Sequence, residues 1–212
     1  MNMTTQSPAI RVICVDDHPA MREGIAAYIG NASDMQLIGE AVNGREAIEQ
    51  FRRLQPDVTL MDLRLPDMSG VEALLAIRKE FKNARIIMLT TFDGDADIRR
   101  SLEAGAQAYL LKTMPRAELL DSIRKVNDGK RYLPPEIAAQ LVQNLSGDPL
   151  SRREIEVLEK IAGGNRNIDI AAMLFISDET VKGHVKHIME KLGANDRTEA
   201  VAIALRRGII RL

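Results

Sequence analysis

The sequence predicts a parallel α/β sheet with helices on both faces, followed by a smaller all-helical domain. Three observations carry that prediction. Between residues 10 and 128, five apolar strand-like runs alternate with five stretches of helical spacing, the pattern of a sheet buried on both faces. From Gly129 to Pro149 the rhythm breaks, with Pro134-Pro135 and Ser146-Gly147-Asp148-Pro149 around a modest helical segment at Glu136 to Leu145, which reads as a linker. Beyond it no strand pattern remains. The organisation expected is a loose tail (1–9), an α/β domain (10–128), a linker (129–148) and a helical domain (149–212).

Each element follows from local pattern. Ile10 to Val15 is a strand-like run ending in Asp16-Asp17, and Pro19 suits the first turn of a helix whose Met21, Ile25, Tyr28 and Ile29 share a face. Gln36 to Val42 is the second strand; Asn43-Gly44 opens a helix with apolar Ala47, Ile48, Phe51 and Leu54. Val58 to Met61 is a buried strand behind the breaker Pro56-Asp57, ending at Asp62, and Pro66 to Gly70 forms the turn beyond it. Met68 to Phe81 is a helix with Val71, Leu74, Leu75 and Ile77 facing inward. Ala84 to Leu89 is the fourth strand, ending in Thr90-Thr91, and Asp95 to Glu103 a helix closed by Gly105. Ala106 to Leu111 is the fifth strand, ending in Lys112, and Pro115 to Asn127 the fifth helix. The last domain holds helices at 151–162, 167–174, 178–191 and 197–207.

Composition excludes several classes. The chain is 212 residues, 45% apolar and 28% charged, which fits neither disorder nor a membrane class. Residues 1–8 lack the layout of a signal peptide. Cys14 is the single cysteine, in an apolar run, and reads as a small core residue. These features place the protein in the cytoplasm. Net charge is −1. Residues 149–212 carry 11 Lys and Arg against 9 Asp and Glu, so any nucleic-acid argument rests on where charges sit rather than on their sum.

In a parallel sheet the strand ends share one edge, so Asp16-Asp17, Asp62, Thr90-Thr91 and Lys112 converge. Taken alone, Asp62 after a strand reads as the start of a turn; its company gives it a role. Three carboxylates at one edge repel one another unless a cation is present, and hard oxygen ligands suit Mg²⁺. A carboxylate beside Lys112 and Thr90 is also placed to accept a phosphoryl group, whose oxygens the ammonium and hydroxyl would stabilise.

On these residues, 10–128 resembles the receiver domain of bacterial two-component response regulators, a flavodoxin-like doubly wound fold. The resemblance implies Asp62 as phosphoacceptor, with Mg²⁺ held by Asp16, Asp17, Asp62 and the Arg64 backbone carbonyl. It implies Thr90 as switch hydroxyl, Tyr109 as switch aromatic and Lys112 as the phosphate-contacting lysine. Pro66 and Gly70 stand where the family has them. Thr113 departs from the proline often found after the lysine, so the cis peptide of that site is not implied here. Phosphorylation adds about −1.5 to −2 charge beside Thr90; Thr90 swings in, and Tyr109 moves into the space left. Phe92 and Arg64 flank the pocket and are expected to hinder attacking water; Phe92→Glu should speed dephosphorylation.

In the second domain, Ser177-Asp178-Glu179 is a good helix start. Val181, Val185, Ile188, Met189 and Leu192 mark a buried stripe, while Lys182 and Lys186 share another face with Gly183 between and His187 alongside. On spacing alone that face reads as solvated more readily than as DNA-contacting. His184 and His187 are too few for a metal site, and His18 receives no role.

Pro149-Leu150-Ser151-Arg152-Arg153-Glu154-Ile155-Glu156-Val157-Leu158, Gly164, Ile170-Ala171 and Ser177…Thr180-Val181-Lys182 resemble the LuxR-type helix-turn-helix. Together with the receiver this is similar to the NarL/FixJ class of transcription regulators. The resemblance implies that Lys182, Gly183, Lys186, Thr180 and His187 meet DNA in the major groove. It implies dimerisation on DNA through the last helix, at Arg197, Ala200, Val201 and Ala204. At Asn165 to Asp169 the chain departs from the family: Ile168 stands for a phosphate-contacting lysine, with Arg166 as a compensating contact and a slightly flatter salt dependence expected.

The function expected is that of a regulator, not an enzyme. A sensor histidine kinase phosphorylates Asp62, the receiver stops occluding the recognition helix or holding the protein monomeric, and a homodimer binds paired DNA half-sites. The alternative is a DNA binder whose receiver is only an interaction module, independent of phosphate. An Asp-nucleophile phosphatase is disfavoured, because Arg64 occupies the place where it would want a second acid.

Overall fold

The computed structural model describes residues 8–91, 94–143 and 149–210. Phe92, most of the tail and the 144–148 end of the linker lie outside the described residues. The chain divides into two units, residues 1–92 with 99–138 and residues 93–98 with 139–212.

The first unit is built on a five-stranded parallel sheet: β1 (Ile10–Val15), β2 (Met35–Ala41), β3 (Val58–Asp62), β4 (Ile86–Thr90) and β5 (Ala108–Leu111). Their spatial order is β2-β1-β3-β4-β5, with Val12 opposite Val58, Met61 opposite Met88 and Met88 opposite Tyr109. This is the doubly wound order of flavodoxin-like sheets, which reverses direction between β1 and β3. The alternation in sequence predicts such a sheet, and its central strands are wholly buried: β3 and β4 expose no residue. Cys14 lies in this core, and burial pushes its thiol up to about 12, so it is inert packing.

The helices are α1 (Pro19–Gly30), α2 (Gly44–Leu54), α3 (Gly70–Glu80), α4 (Asp95–Glu103) and α5 (Arg116–Asn127). Their starts are chemically specified: Asn43 accepts from the Glu46 amide, and Ser69 and Glu72 form a reciprocal capping box. The predicted inward face of α3 needs one correction. Ala73, Leu74 and Ile77 are buried, but Leu75 is 51% exposed, because position 75 falls a quarter-turn beyond the stripe that Leu74 and Ile77 define.

Part of the predicted linker is not a free tether. Tyr132 continues from the β5 neighbourhood through its amide to the Gln107 carbonyl (2.9 Å), and its hydroxyl donates to Glu118 (3.2 Å). The Lys125 ammonium lies 4.1 Å from its ring centroid. Ile137, at the start of α6 (Pro135–Gln143), is buried.

The helical part of the second unit comprises α7 (Arg152–Ala162), α8 (Asn167–Leu174), α9 (Asp178–Leu192) and α10 (Arg197–Arg206). Val157, Leu158, Ile161, Ile170, Val181, Ile188, Ala200 and Ala204 form its core. Ser151 and Glu154 box the start of α7, and the Lys191 ammonium reaches Glu154 at 3.0 Å. Phe175, in the left-handed region (φ 54°), ends α8, and Ser177 caps α9 two residues later. That tight turn makes α8 and α9 a helix-turn-helix.

Candidate functional site

Because all five strands run parallel, their carboxyl ends present one edge, and the β1–β3 reversal opens a crevice there. Asp16 follows β1 and is wholly buried; Asp62 ends β3 and is 3% exposed; Thr90 ends β4 and is buried; Lys112 follows β5. Asp17 stands at the rim. The structure brings these predicted residues together.

The Lys112 ammonium lies 2.7 Å from Asp62 Oδ2, to which it donates, and 2.7 Å from Asp16 Oδ2. The contact with the buried Asp16 carboxylate is an ion pair. The Arg64 amide donates to Asp62 Oδ1 at 3.2 Å. This fixes the carboxylate by the backbone amide of Arg64, an atom the sequence reading did not assign. Lys112 is itself held by its amide, which donates to the Thr90 carbonyl at 2.7 Å. Gly70 explains the close packing behind the pocket: a Cβ there would stand 2.0 Å from the Asp62 carbonyl oxygen, so no larger residue fits.

Burial raises the Asp62 proton affinity above that of an ordinary carboxylate, with Asp16 adding to the effect, while Lys112 and the Arg64 amide work against it. Burial also disfavours the Lys112 ammonium, but its bonds to Asp16 and Asp62 outweigh this and raise its proton affinity. Three carboxylates against one ammonium leave the pocket two negative charges in excess, the charge a divalent cation balances. Asp16, Asp17, His18 and Asp62 each offer a ligand atom, all within 4.8 Å of one another. The donor set therefore fits a hard divalent ion.

His18 is the residue that sequence reasoning left without a role. Its Nδ1 lies 2.6 Å from Asp17 Oδ1 and 3.3 Å from Asp16 Oδ1. The only signal in the sequence is its position directly after the acid pair. Tyr109, on β5, is wholly buried. No peptide bond among the described residues is cis.

In the second unit, Lys182, Lys186, Thr180 and His187 are exposed on α9, and Gly183 lies among them. Lys182 pairs with Asp178 (3.0 Å) and Glu179 (3.5 Å), and Lys186 approaches Glu190 (3.8 Å). Such fully exposed pairs are weak and screened by solvent, so a stronger anion displaces them readily. Arg166 is exposed and pairs with Asp169 at 3.0 Å, and Ile168 is 63% exposed.

Of the four α10 residues expected at a dimer interface, two are buried within the unit itself, and Arg197 and Val201 stay partly exposed. Ala200 and Ala204 are buried in the unit's own core, Val201 packs against that core, and Arg197 donates to the Asn165 carbonyl at 2.9 Å. Small apolar residues on one helix face look alike whether they line a core or an interface. The stripe that α10 leaves exposed is Thr198, Ala202 and Arg206.

A doubly wound sheet with acids gathered around a lysine at its carboxyl edge, joined to a helix-turn-helix unit, defines the class of two-part signalling regulators. Comparison with known proteins narrows it. Residues 12–124 match the response regulator receiver domain family, and residues 148–204 match the bacterial regulatory proteins of the luxR family. The chain is 38% identical over 206 residues to the response regulator protein VraR of Staphylococcus aureus, covering 95% of this chain and 99% of that one. Among solved structures it resembles the response regulator ChrA of a heme-sensing two-component system, with 36% identity, TM-score 0.58, and 96% and 100% of the two chains covered. It also resembles RcsB in a structure of two dimers bound to two parallel DNAs, with 25% identity, TM-score 0.72, and 93% and 98% covered. This chain belongs to the two-component response regulators that carry a LuxR-type DNA-binding domain, a family of transcription regulators rather than enzymes.

Proposed function

We propose that Asp62 accepts a phosphoryl group from a sensor histidine kinase and that this modification governs dimerisation and DNA binding by the second unit. The observation that carries the reading is Lys112, held 2.7 Å from both Asp62 and Asp16 in a pocket with excess negative charge. Asp16, Asp17, Asp62 and the Arg64 carbonyl would hold Mg²⁺, which when bound offsets charge on the phosphoryl oxygens. An Asp62 oxygen attacks phosphorus in line, the new O–P bond forming as the bond to the kinase's histidine nitrogen breaks. Lys112 then leaves the carboxylates for a phosphoryl oxygen, and the Thr90 hydroxyl donates to another. Tyr109 occupies the inward position when Thr90 is so engaged, and the altered face around β4 and β5 promotes a homodimer.

On paired half-sites, α9 enters the major groove with Lys182, Gly183, Lys186, Thr180 and His187 toward the DNA and Arg166 at the backbone. The structures of the relative RcsB on DNA support that reading. The partner copy meets α10 on its exposed stripe. The protein works in the cytoplasm on this account, and no helix among the described residues is long and apolar enough to cross a membrane.

Incubation with acetyl phosphate and Mg²⁺ followed by intact-mass measurement tests the first step. One added phosphoryl group (about 80 Da) is expected on the wild type and none on Asp62→Asn. Equal labelling of both would refute it.

A further inference from the structure

We propose that Asp67 is a positioning residue for the phosphoryl acceptor: by tying the β3–α3 loop to the start of α2, it keeps the Arg64 backbone aimed at Asp62. The inference rests on the reading of Asp62 as that acceptor. It adds a residue that touches neither the phosphoryl group nor the cation.

The loop is pinned at three levels. At its base the Leu63 amide donates to the Leu89 carbonyl and the Gly70 amide to the Leu63 carbonyl, both at 2.9 Å. One step out, Arg64 and Ser69 face each other in an isolated antiparallel bridge. At the tip Asp67 reaches across to α2, where its Oδ1 accepts from the Gly44 amide (2.8 Å) and its Oδ2 from the Arg45 amide (3.1 Å). Glycine at position 44 lets the two segments interlock, since a Cβ there would run into the Met68 side chain.

The chemistry of helix starts explains why this tie holds. The first amides of a helix have no partner within it, and the helix dipole favours an anion beside them. Asn43 takes the third of these amides, that of Glu46. Asp67, from 22 and 23 residues further along the chain, takes the first two. These bonds, the one from Gly44 foremost, hold its carboxyl below the ordinary carboxylate range, so the tie is charge-assisted at neutral pH. The Arg45 guanidinium comes no nearer than 4.0 Å to the same carboxylate. Backbone amides therefore carry the tie.

The pocket needs it because Asp62 is aimed by a bond with little to spare. The Arg64 amide donates to Asp62 Oδ1 at 3.2 Å, the long limit of a normal N–H···O contact. Outward drift of the loop tip would break that bond. It would also turn the Arg64 carbonyl away from the acids with which it would hold a cation.

Two substitutions that uncap the same helix separate positioning from stability. Asp67→Ala removes the tie, whereas Asn43→Ala removes a cap of α2 and leaves the loop bonds in place. Both should lower the melting temperature of the full-length protein. The rate at which acetyl phosphate labels Asp62 is read by intact mass at saturating Mg²⁺, well below either melting range. It is expected to fall by about 10-fold or more in Asp67→Ala, the scale of losing a residue that orients a ligand shell, and to stay at the wild-type value in Asn43→Ala. The Mg²⁺ concentration giving half-maximal labelling should rise in Asp67→Ala alone. Equal slowing by the two variants, or slowing by neither, would overturn the positioning role and leave Asp62 as acceptor. Labelling that survives Asp62→Asn would instead overturn Asp62 itself.

Discussion

Lys112 occupies the centre of the pocket, and its two roles there oppose each other. Paired with both Asp62 and Asp16, it offsets one of the pocket's three negative charges and competes with any cation for those two carboxylates. Its loss should therefore separate binding from chemistry. Lys112→Ala leaves three uncompensated carboxylates, and divalent-ion affinity measured by calorimetry is expected to rise. The rate of labelling by acetyl phosphate should fall by about 10²–10³-fold, the usual cost of deleting one charge-stabilising donor. A parallel fall in both quantities would mean that the lysine serves only to hold the fold. His18 shows where sequence reasoning stops at this scale. Asp16, Asp62 and Lys112 were legible because a parallel sheet puts every strand's carboxyl end on one edge. The direction of an imidazole at a helix start follows no such rule, since it depends on χ angles and on the hydrogen bond that the His18 amide donates to Asp16 Oδ1.

Among the elements, α9 carries a local inconsistency. Gly183 sits in mid-helix, where glycine costs about 1 kcal/mol relative to alanine, and a Cβ there would meet nothing within 4 Å. Nothing in the fold requires it. The missing side chain is explained if DNA approaches that face closely. Gly183→Ala should raise stability by about 0.5–1 kcal/mol in denaturant titration while weakening operator binding; improvement in both would remove α9 from the groove.

The capping box of α7 offers a second test at this scale. Burial alone would raise the Glu154 proton affinity, but the bonds from Ser151 and Lys191 prevail and hold it below the ordinary glutamate value near 4.5. A depressed folded value means that this stabilisation is complete above the ordinary value and is lost as pH falls through the lower, folded one. Glu154→Gln should cost about 1–2 kcal/mol at neutral pH. The difference should vanish in acid, as followed by hydrogen exchange of α7 amides across pH; a loss independent of pH would point to packing alone. The element pattern also shows what periodicity cannot separate. Ala200 and Ala204 satisfy a core and an interface equally well on paper, and Leu75 reads as inward until the α3 stripe is placed. Packing decides each case, through neighbours distant in sequence.

For the whole molecule, the alternation of strand and helix and its cessation after residue 129 announced a sheet unit and a helical unit. The order β2-β1-β3-β4-β5 was implied by family likeness and not by pattern, because any right-handed winding gives the same alternation. The central claim is that the charge state of Asp62 sets the affinity of α9 for DNA. Its most direct test is the affinity for an operator fragment, measured at fixed salt with and without beryllofluoride and Mg²⁺, in the wild type and in Asp62→Asn. The account predicts tighter binding, as a dimer, for the beryllofluoride-treated wild type alone. Equal affinity in all four samples would contradict it and leave a DNA-binding protein whose receiver works without phosphate.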